Sequence, residues 1–169
     1  MFTMLALAAI AFTACSKDEK TLTGGDMRIA VNPTIANPPI TPKTATRVTD
    51  TDFELNDAVG LRITMTADKS LYAANRKLTF DGTDFTATDF RWYEDVNLTS
   101  SLFAYYPYAE GDAVPTEFTV RADQSGEGYT QSDLIVAVKT GVKPTKSSTA
   151  MTFKHKTTRI IIDVVNESG

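Results

Sequence analysis

The sequence predicts an all-β domain of the sandwich kind, and three observations carry that expectation. From Val48 onward the chain is built of short apolar runs separated by turn residues. No helical period holds over ten or more positions, which excludes a helical core. The last such run, residues 160–165, is dominated by β-branched Ile and Val, whose stiff side chains suit a pleated surface.

Taken in order, residues 27–31 form the one stretch before Val48 able to make a strand. Around it, residues 21–47 are rich in Thr, Pro, Asn and Gly, and Pro33, Pro38, Pro39 and Pro42 close off any helix. The expectation is a tether, one short strand and an extended proline-rich connection. Residues 59–66 read as the next strand and 72–80 as another, with Tyr72, Ala74, Leu78 and Phe80 at even spacing on one face. A helix over 67–77, capped by Asp68, fits the apolar spacing less well than period two. Asp81-Gly82 marks a turn, and 85–92 holds further extended pieces. Residues 102–106 are apolar on both faces, as a central strand would be. Residues 116–121 alternate strictly, which predicts an edge or solvated strand with Phe118 and Val120 inward. Residues 134–138 and 150–153 are short apolar runs, and the latter leads through His155 into 160–165.

The N-terminal residues 2–14 are apolar apart from threonines and end at Ala14-Cys15, followed at once by the polar Ser16-Lys17-Asp18-Glu19-Lys20. A run of this length is short of the roughly 20 residues a spanning helix needs. A buried core helix would want an amphipathic partner, and the neighbouring sequence offers none. The reading is an export signal over 1–14 that is removed, a lipid-modified Cys15, and a tether over 15–26. Cys15 is the one cysteine, which excludes a disulfide framework. More than one acyl chain is expected at such a cysteine, because a single chain anchors only marginally.

Past the leader, the length suits one domain. The net charge of −4 and pI near 5.0 offer no basic surface for phosphate backbones, so no nucleic acid partner is expected. His155 is the one histidine; a catalytic triad or a His/Cys zinc site would depend wholly on it, and flanked by Lys154 and Lys156 it reads as a surface or satisfied residue. Gly24-Gly25 and Gly126-Glu127-Gly128 lack the strand-then-helix context of phosphate loops. Asp81, Asp84 and Asp89 do not follow calcium-loop spacing. The expectation is a protein that is not an enzyme and holds no metal or cofactor. The aromatics Trp92, Tyr93, Phe103, Tyr105, Tyr106 and Tyr108 read as core, with a sugar-stacking platform as the competing reading.

Several runs together resemble one family. Residues 53–61 (FELNDAVGL) open the domain, 72–78 (YAANRKL) follow, and Trp92 leads to Ala104-Tyr105-Tyr106-Pro107-Tyr108. Then come Phe118-Thr119-Val120, Asp123-Gln124-Ser125, residues 132–137 (SDLIVA) and Phe153-Lys154-His155-Lys156. Over roughly residues 50–165 this order resembles the fimbrillin family, the type V pilin-like lipoproteins of Bacteroidetes. The resemblance implies a transthyretin-like Greek-key β-sandwich at 48–169, usually the first of two domains, and a second domain is expected beyond Gly169. It implies a structural or anchoring subunit of a surface fimbria for cell adhesion, lipid-anchored in the outer membrane. It also implies proteolysis after an arginine in the proline-rich connection, for which Arg47 is the matching position and Arg28, inside the first strand, the competitor. Removal of the first strand over 27–47 would then open a groove for a strand of a neighbouring subunit. A host or bacterial surface ligand is a further partner. The alternative from the residues alone is an outer-membrane-tethered carbohydrate-binding lipoprotein that uses the aromatic rings.

Overall fold

The computed structural model describes residues 22–36 and 52–157, without the side chain of Glu127. The fold is all-β, as expected. A 3-10 turn, Gly24–Asp26, leads into β1 (Arg28–Ile35), and β2 (Ala58–Met65), β3 (Leu71–Phe80), β4 (Phe85–Arg91), β5 (Ser100–Tyr106), β6 (Ile135–Val142) and β7 (Thr149–His155) follow, with one helical turn, α1 (Glu127–Thr130), before β6. The strands lie in the order β1-β4-β3-β2-β5-β6-β7 and close into a barrel through β1 and β7. That last pairing is parallel; the others are antiparallel.

The wall is uneven. β5 is paired along its length on both sides, to β2 from Gly60–Tyr105 to Met65–Ser100 and to β6 from Tyr106–Ile135 to Ser100–Val142. By contrast β3 and β4 pair at Thr79–Thr86 and Phe80–Phe85, and β6 and β7 at Ile135–His155 and Val136–Lys154. These two thin seams divide the barrel into a half holding β3, β2, β5 and β6 and a half holding β4, β1 and β7.

The core follows strand parity. β2 buries Val59, Leu61 and Ile63, β5 buries Leu102, Ala104 and Tyr106, and β7 buries Met151 and Phe153. At one end Phe53 packs its ring edge-on against Phe85 at 4.8 Å and Phe153 at 5.1 Å, geometry that suits the quadrupoles of the rings. Trp92 is buried in the same core.

Three expectations need correction. Residues 116–121 form no strand, and Phe118 and Val120 are 36% and 56% exposed. Their alternation is real, but β propensity needs a neighbouring edge to act on, and among the described residues no strand pairs with them. The even spacing in β3 breaks because its register with β2 shifts between Leu61–Arg76 and Ile63–Ala73. One extra residue on one strand flips the side chains beyond it, so Leu78 is buried and Ala73, not Ala74, packs on the core. Pro33 does not end the first strand, which runs to Ile35. The closing strand expected at 160–165 lies outside the described residues.

Candidate functional site

The feature of this barrel with functional consequence is the way β1 completes its wall. The fifteen described residues 22–36 are separated from β2 by a long connection, yet β1 is seated between β4 and β7, both distant from it in the chain. Its sequence alternates: Ile29 and Val31 are fully buried, while Arg28 is exposed. On one side it runs antiparallel to β4, with Arg28 opposite Arg91, a shift, then Ala30 opposite Thr86 and Val31 opposite Phe85. On the other it runs parallel to β7 from Val31–Thr149 to Ile35–Phe153.

The ladder explains how Pro33 is tolerated. Ala36 N–H donates to Phe153 O at 2.8 Å. Bonds to one parallel neighbour come from alternate residues, so Asn32 and Thr34 also face β7, and the nitrogen of Pro33 faces the other edge. There β4 has already ended, opposite Val31. A proline costs a strand nothing where its nitrogen meets no partner, and it blunts an edge that could otherwise recruit a stray strand.

Side chains fasten the same strand. Asn32 Nδ2 donates to Thr83 O at 3.1 Å and to Asp84 Oδ1 at 2.9 Å, and Ser148 Oγ donates to the other oxygen, Asp84 Oδ2. One carboxylate thereby ties β1 to the approach to β7. Thr34 Oγ1 and Thr152 Oγ1 are 3.1 Å apart across the parallel pair. Ahead of β1, Gly24 N–H donates to Glu94 O at 3.0 Å and Trp92 N–H to Met27 O at 3.0 Å. A Cβ at Gly24 would lie 1.6 Å from Tyr93 O, so only glycine allows this approach.

Beneath the strand the lining is apolar and aromatic, with Phe85 from β4 and Phe153 from β7 both fully buried. Two polar atoms in this wall, Trp92 Nε1 and Thr149 Oγ1, are buried without a hydrogen-bond partner among the described residues, a cost of order 1 to 3 kcal/mol each where none is found. The ionisable pair of the interior, Tyr106 and Asp57, serves the fold. Tyr106 Oη donates to Asp57 Oδ1 at 3.2 Å. Burial, and then the Asp57 carboxylate, push the Tyr106 phenol up, while burial raises Asp57 against the opposing bond from Glu54 N–H.

The residues singled out in the sequence fall as follows. Cys15 and Arg47 lie outside the described residues, as does the connection over 37–51. Arg28 is the first residue of β1. His155 Nδ1 lies 2.9 Å from Asp133 Oδ1, which also accepts from Thr157 Oγ1 at 2.9 Å, so the histidine joins β7 to the approach to β6 through Asp133. Asp84 serves β1, and Asp81 Oδ1 caps its own turn by accepting from the N–H groups of Thr83 and Asp84, both at 2.9 Å. Among the described residues no group of three His, Cys, Asp or Glu could hold a metal ion. Trp92, Tyr93, Tyr105 and Tyr106 are buried; Phe103 and Tyr108 are half-buried. The parallel pairing with β7 and the Asp84 fastening were missed. Asn32 five residues from Met27 and Asp84 beside a turn carry no sequence pattern that would join them.

The geometry defines a β-barrel domain whose wall includes a strand delivered from outside the compact run of the chain. A family model described as fimbrillin-like matches residues 46–169, and the chain belongs to that family. Among solved structures it is similar to a candidate cell adhesion protein from Bacteroides ovatus, at 21% identity and a TM-score of 0.52, covering 76% of this chain and 52% of that one. A candidate cell adhesion protein from Bacteroides uniformis (24% identity, TM-score 0.49, 78% and 48% covered) and a fimbrial protein from Bacteroides ovatus (19%, 0.49, 79% and 28%) are also similar. The first likeness supports the fold alone. The chain spans about half the length of these structures or less. No curated protein matches it.

Proposed function

We propose that the protein is a structural or anchoring subunit of a surface fimbria involved in cell adhesion, assembled with other subunits by β-strand addition, and not an enzyme. The observation that carries this reading is the position of β1: it precedes the family match, which begins at residue 46, yet it fills the wall between β4 and β7 with Ile29 and Val31 fully buried. A strand so placed can be parted from the domain by one cut in the connection, at Arg47, leaving two edges and a row of apolar pockets for a neighbour's strand. Each ladder bond contributes only about 0.5 to 1.5 kcal/mol net, so once it is no longer covalently joined to the domain the strand becomes replaceable by a better donor.

The same reading takes the barrel as a flattened transthyretin-like Greek-key sandwich. The order β1-β4-β3-β2, in which three hairpin-linked strands are joined by one arriving over a long connection, supports it, as do the two thin seams. The domain plan is a signal at 1–14, a tether at 15–26, the removable segment at 27–47 and the domain at 48–169, with a second domain to follow. Export as a lipoprotein through Cys15 places the subunit at the outer membrane and cell surface, where a host or bacterial ligand is within reach. Cys15→Ala should move the protein to the soluble fraction and abolish acyl labelling; unchanged membrane partition overturns the anchor. The alternative of an aromatic sugar platform is disfavoured by the burial of Trp92 and Tyr105, 2% and 4% exposed.

The test is to treat the purified protein with an arginine-specific protease, map the new N-terminus and follow oligomers. A terminus at Val48 with growing oligomers is expected. Resistance at Arg47, or cleavage that leaves assembly unchanged, contradicts strand removal.

A further inference from the structure

Beyond the seam-closing pair Phe80–Phe85 and its neighbour Thr79–Thr86, β3 and β4 part company. Their divergence leaves an open cleft of about 550 Å³, a size suited to a small ligand of one or two rings. Its lining has an unusual chemistry for this molecule. Arg76 and Lys77 are cations, Thr79, Thr86 and Thr88 bring hydroxyls, and among the described residues no carboxylate lines it. The whole chain carries −4, so a small cationic concavity on an acidic protein is a local reversal of sign, which concentrates anions at that place.

Both cations are held in position. Arg76 Nη2 donates to Thr88 O at 3.0 Å across the seam, and its guanidinium stands 5.5 Å from the centroid of Phe90. The ring contact and the single bond to the carbonyl orient the group and leave its remaining N–H groups for a ligand. Lys77 Nζ sits 5.3 Å from the ring centroid of Tyr108, a contact that positions the ammonium without consuming its charge. Loop residues behind the cleft are fixed in turn, since Asn75 Nδ2 donates to Ala109 O at 3.1 Å and Gly111 O at 3.0 Å.

We propose that this cleft is a binding site for an acidic saccharide, a sugar bearing a carboxylate. The carboxylate matches the Arg76 and Lys77 donors, charge-assisted bonds being the stronger kind, and the threonine hydroxyls, each donor and acceptor, match the hydroxyls of the ring. A neutral sugar would leave the cations without a partner. The site opens between β3 and β4, and of its lining residues Thr86 also pairs with Ala30 of β1, so binding is measured on the intact chain, in which β1 is seated.

The test is an NMR titration of the full chain with 3′-sialyllactose and, in parallel, with lactose, which lacks the acidic sugar. Saturable shifts confined to Lys77, Thr79, Thr86 and Thr88, with lactose at least about tenfold weaker, are expected. Lys77→Gln and Arg76→Gln should each weaken binding by about tenfold; Lys77→Gln, whose ammonium makes no ladder bond, should leave the melting temperature unchanged. No saturable shift up to about 10 mM, equal binding of the two sugars, or tighter binding of a glutamate hexapeptide than of the sugar at the same residues overturns the proposal.

Discussion

β5 and β1 are both interior strands, paired on two sides, and they are held in different ways. β5 pairs along its whole length with β2 and β6, and both of its faces are covered: Leu102, Ala104 and Tyr106 face the core, while Tyr105 lies outside the barrel, 4% exposed. There its ring fills the space above Gly60, and its hydroxyl donates to Asn75 Oδ1 at 2.9 Å. β1 has one buried face, a shifted pairing with β4 that ends at Val31, and side-chain fastenings through Asn32 and Thr34. On the reading proposed above, two-sided pairing alone does not make a strand permanent. Burial on both faces and covalent continuity on both sides do so for β5, whereas β1 has only its inner face and its long connection.

The largest effect that tests this contrast is Tyr105→Ala, expected to cost about 3 to 5 kcal/mol by chemical denaturation whether or not the connection is cut. A loss under about 1 kcal/mol would place Tyr105 on an unimportant surface and remove the contrast. Next, Ile29→Ala should cost about 2 to 5 kcal/mol in the intact chain. After cleavage the cost should disappear from the stability of the remaining domain and emerge as faster loss of the β1 peptide. Should the cut domain still show the full cost, β1 is as permanent as β5.

A smaller effect is expected at Gly60→Ala, since a Cβ there would lie 2.1 Å from the Tyr105 ring and 2.5 Å from Asn75 Oδ1. The ring must tilt, at about 1 to 3 kcal/mol; a neutral outcome would mean that Tyr105 is loosely seated. The smallest effect concerns pH. Burial raises Asp57 above its ordinary value, so the folded state prefers its protonated form. Its contribution is fully present below the unfolded carboxylate pKa and is lost as pH rises through the folded one. Asp57→Asn should flatten that loss just above pH 4 by at most about 1 kcal/mol, because solvent screens a half-buried group. Asp81 works the other way: bonds from its own turn lower it, so its contribution is lost only as pH falls below the ordinary carboxylate range. An unchanged profile in Asp57→Asn would contradict the first assignment.

The strands from β2 to β7 could be read from period and turn residues because each pairs with neighbours that share its alternation. Even the double-sided nature of β5 was visible in its unbroken apolar run. What failed depended on partners. Phe118 and Val120 alternate like a strand but among the described residues have no edge beside them, and the one-residue shift in β3 is invisible until β2 is placed opposite. Pro33 seemed to close β1 because a proline's cost depends on which edge its nitrogen faces, and that is set by β7, more than 110 residues away in the chain. The candidate site was legible only in outline: an isolated strand-forming run before a proline-rich connection suggested a strand set apart in the chain, while its parallel docking and the Asp84 fastening are tertiary facts.

The most direct test of the contrast is amide hydrogen exchange measured on the intact chain and again after cleavage in the connection. In the intact protein the amides of Asn32 and Thr34, which face β7, should be protected alongside those of β5. After the cut, the β1 amides should exchange orders of magnitude faster while β5 keeps its protection, since local opening is governed by the contacts that hold each segment. Protection of β1 that survives the cut undiminished, or β1 amides already unprotected in the intact chain, would contradict the account of β1 as a seated but replaceable strand.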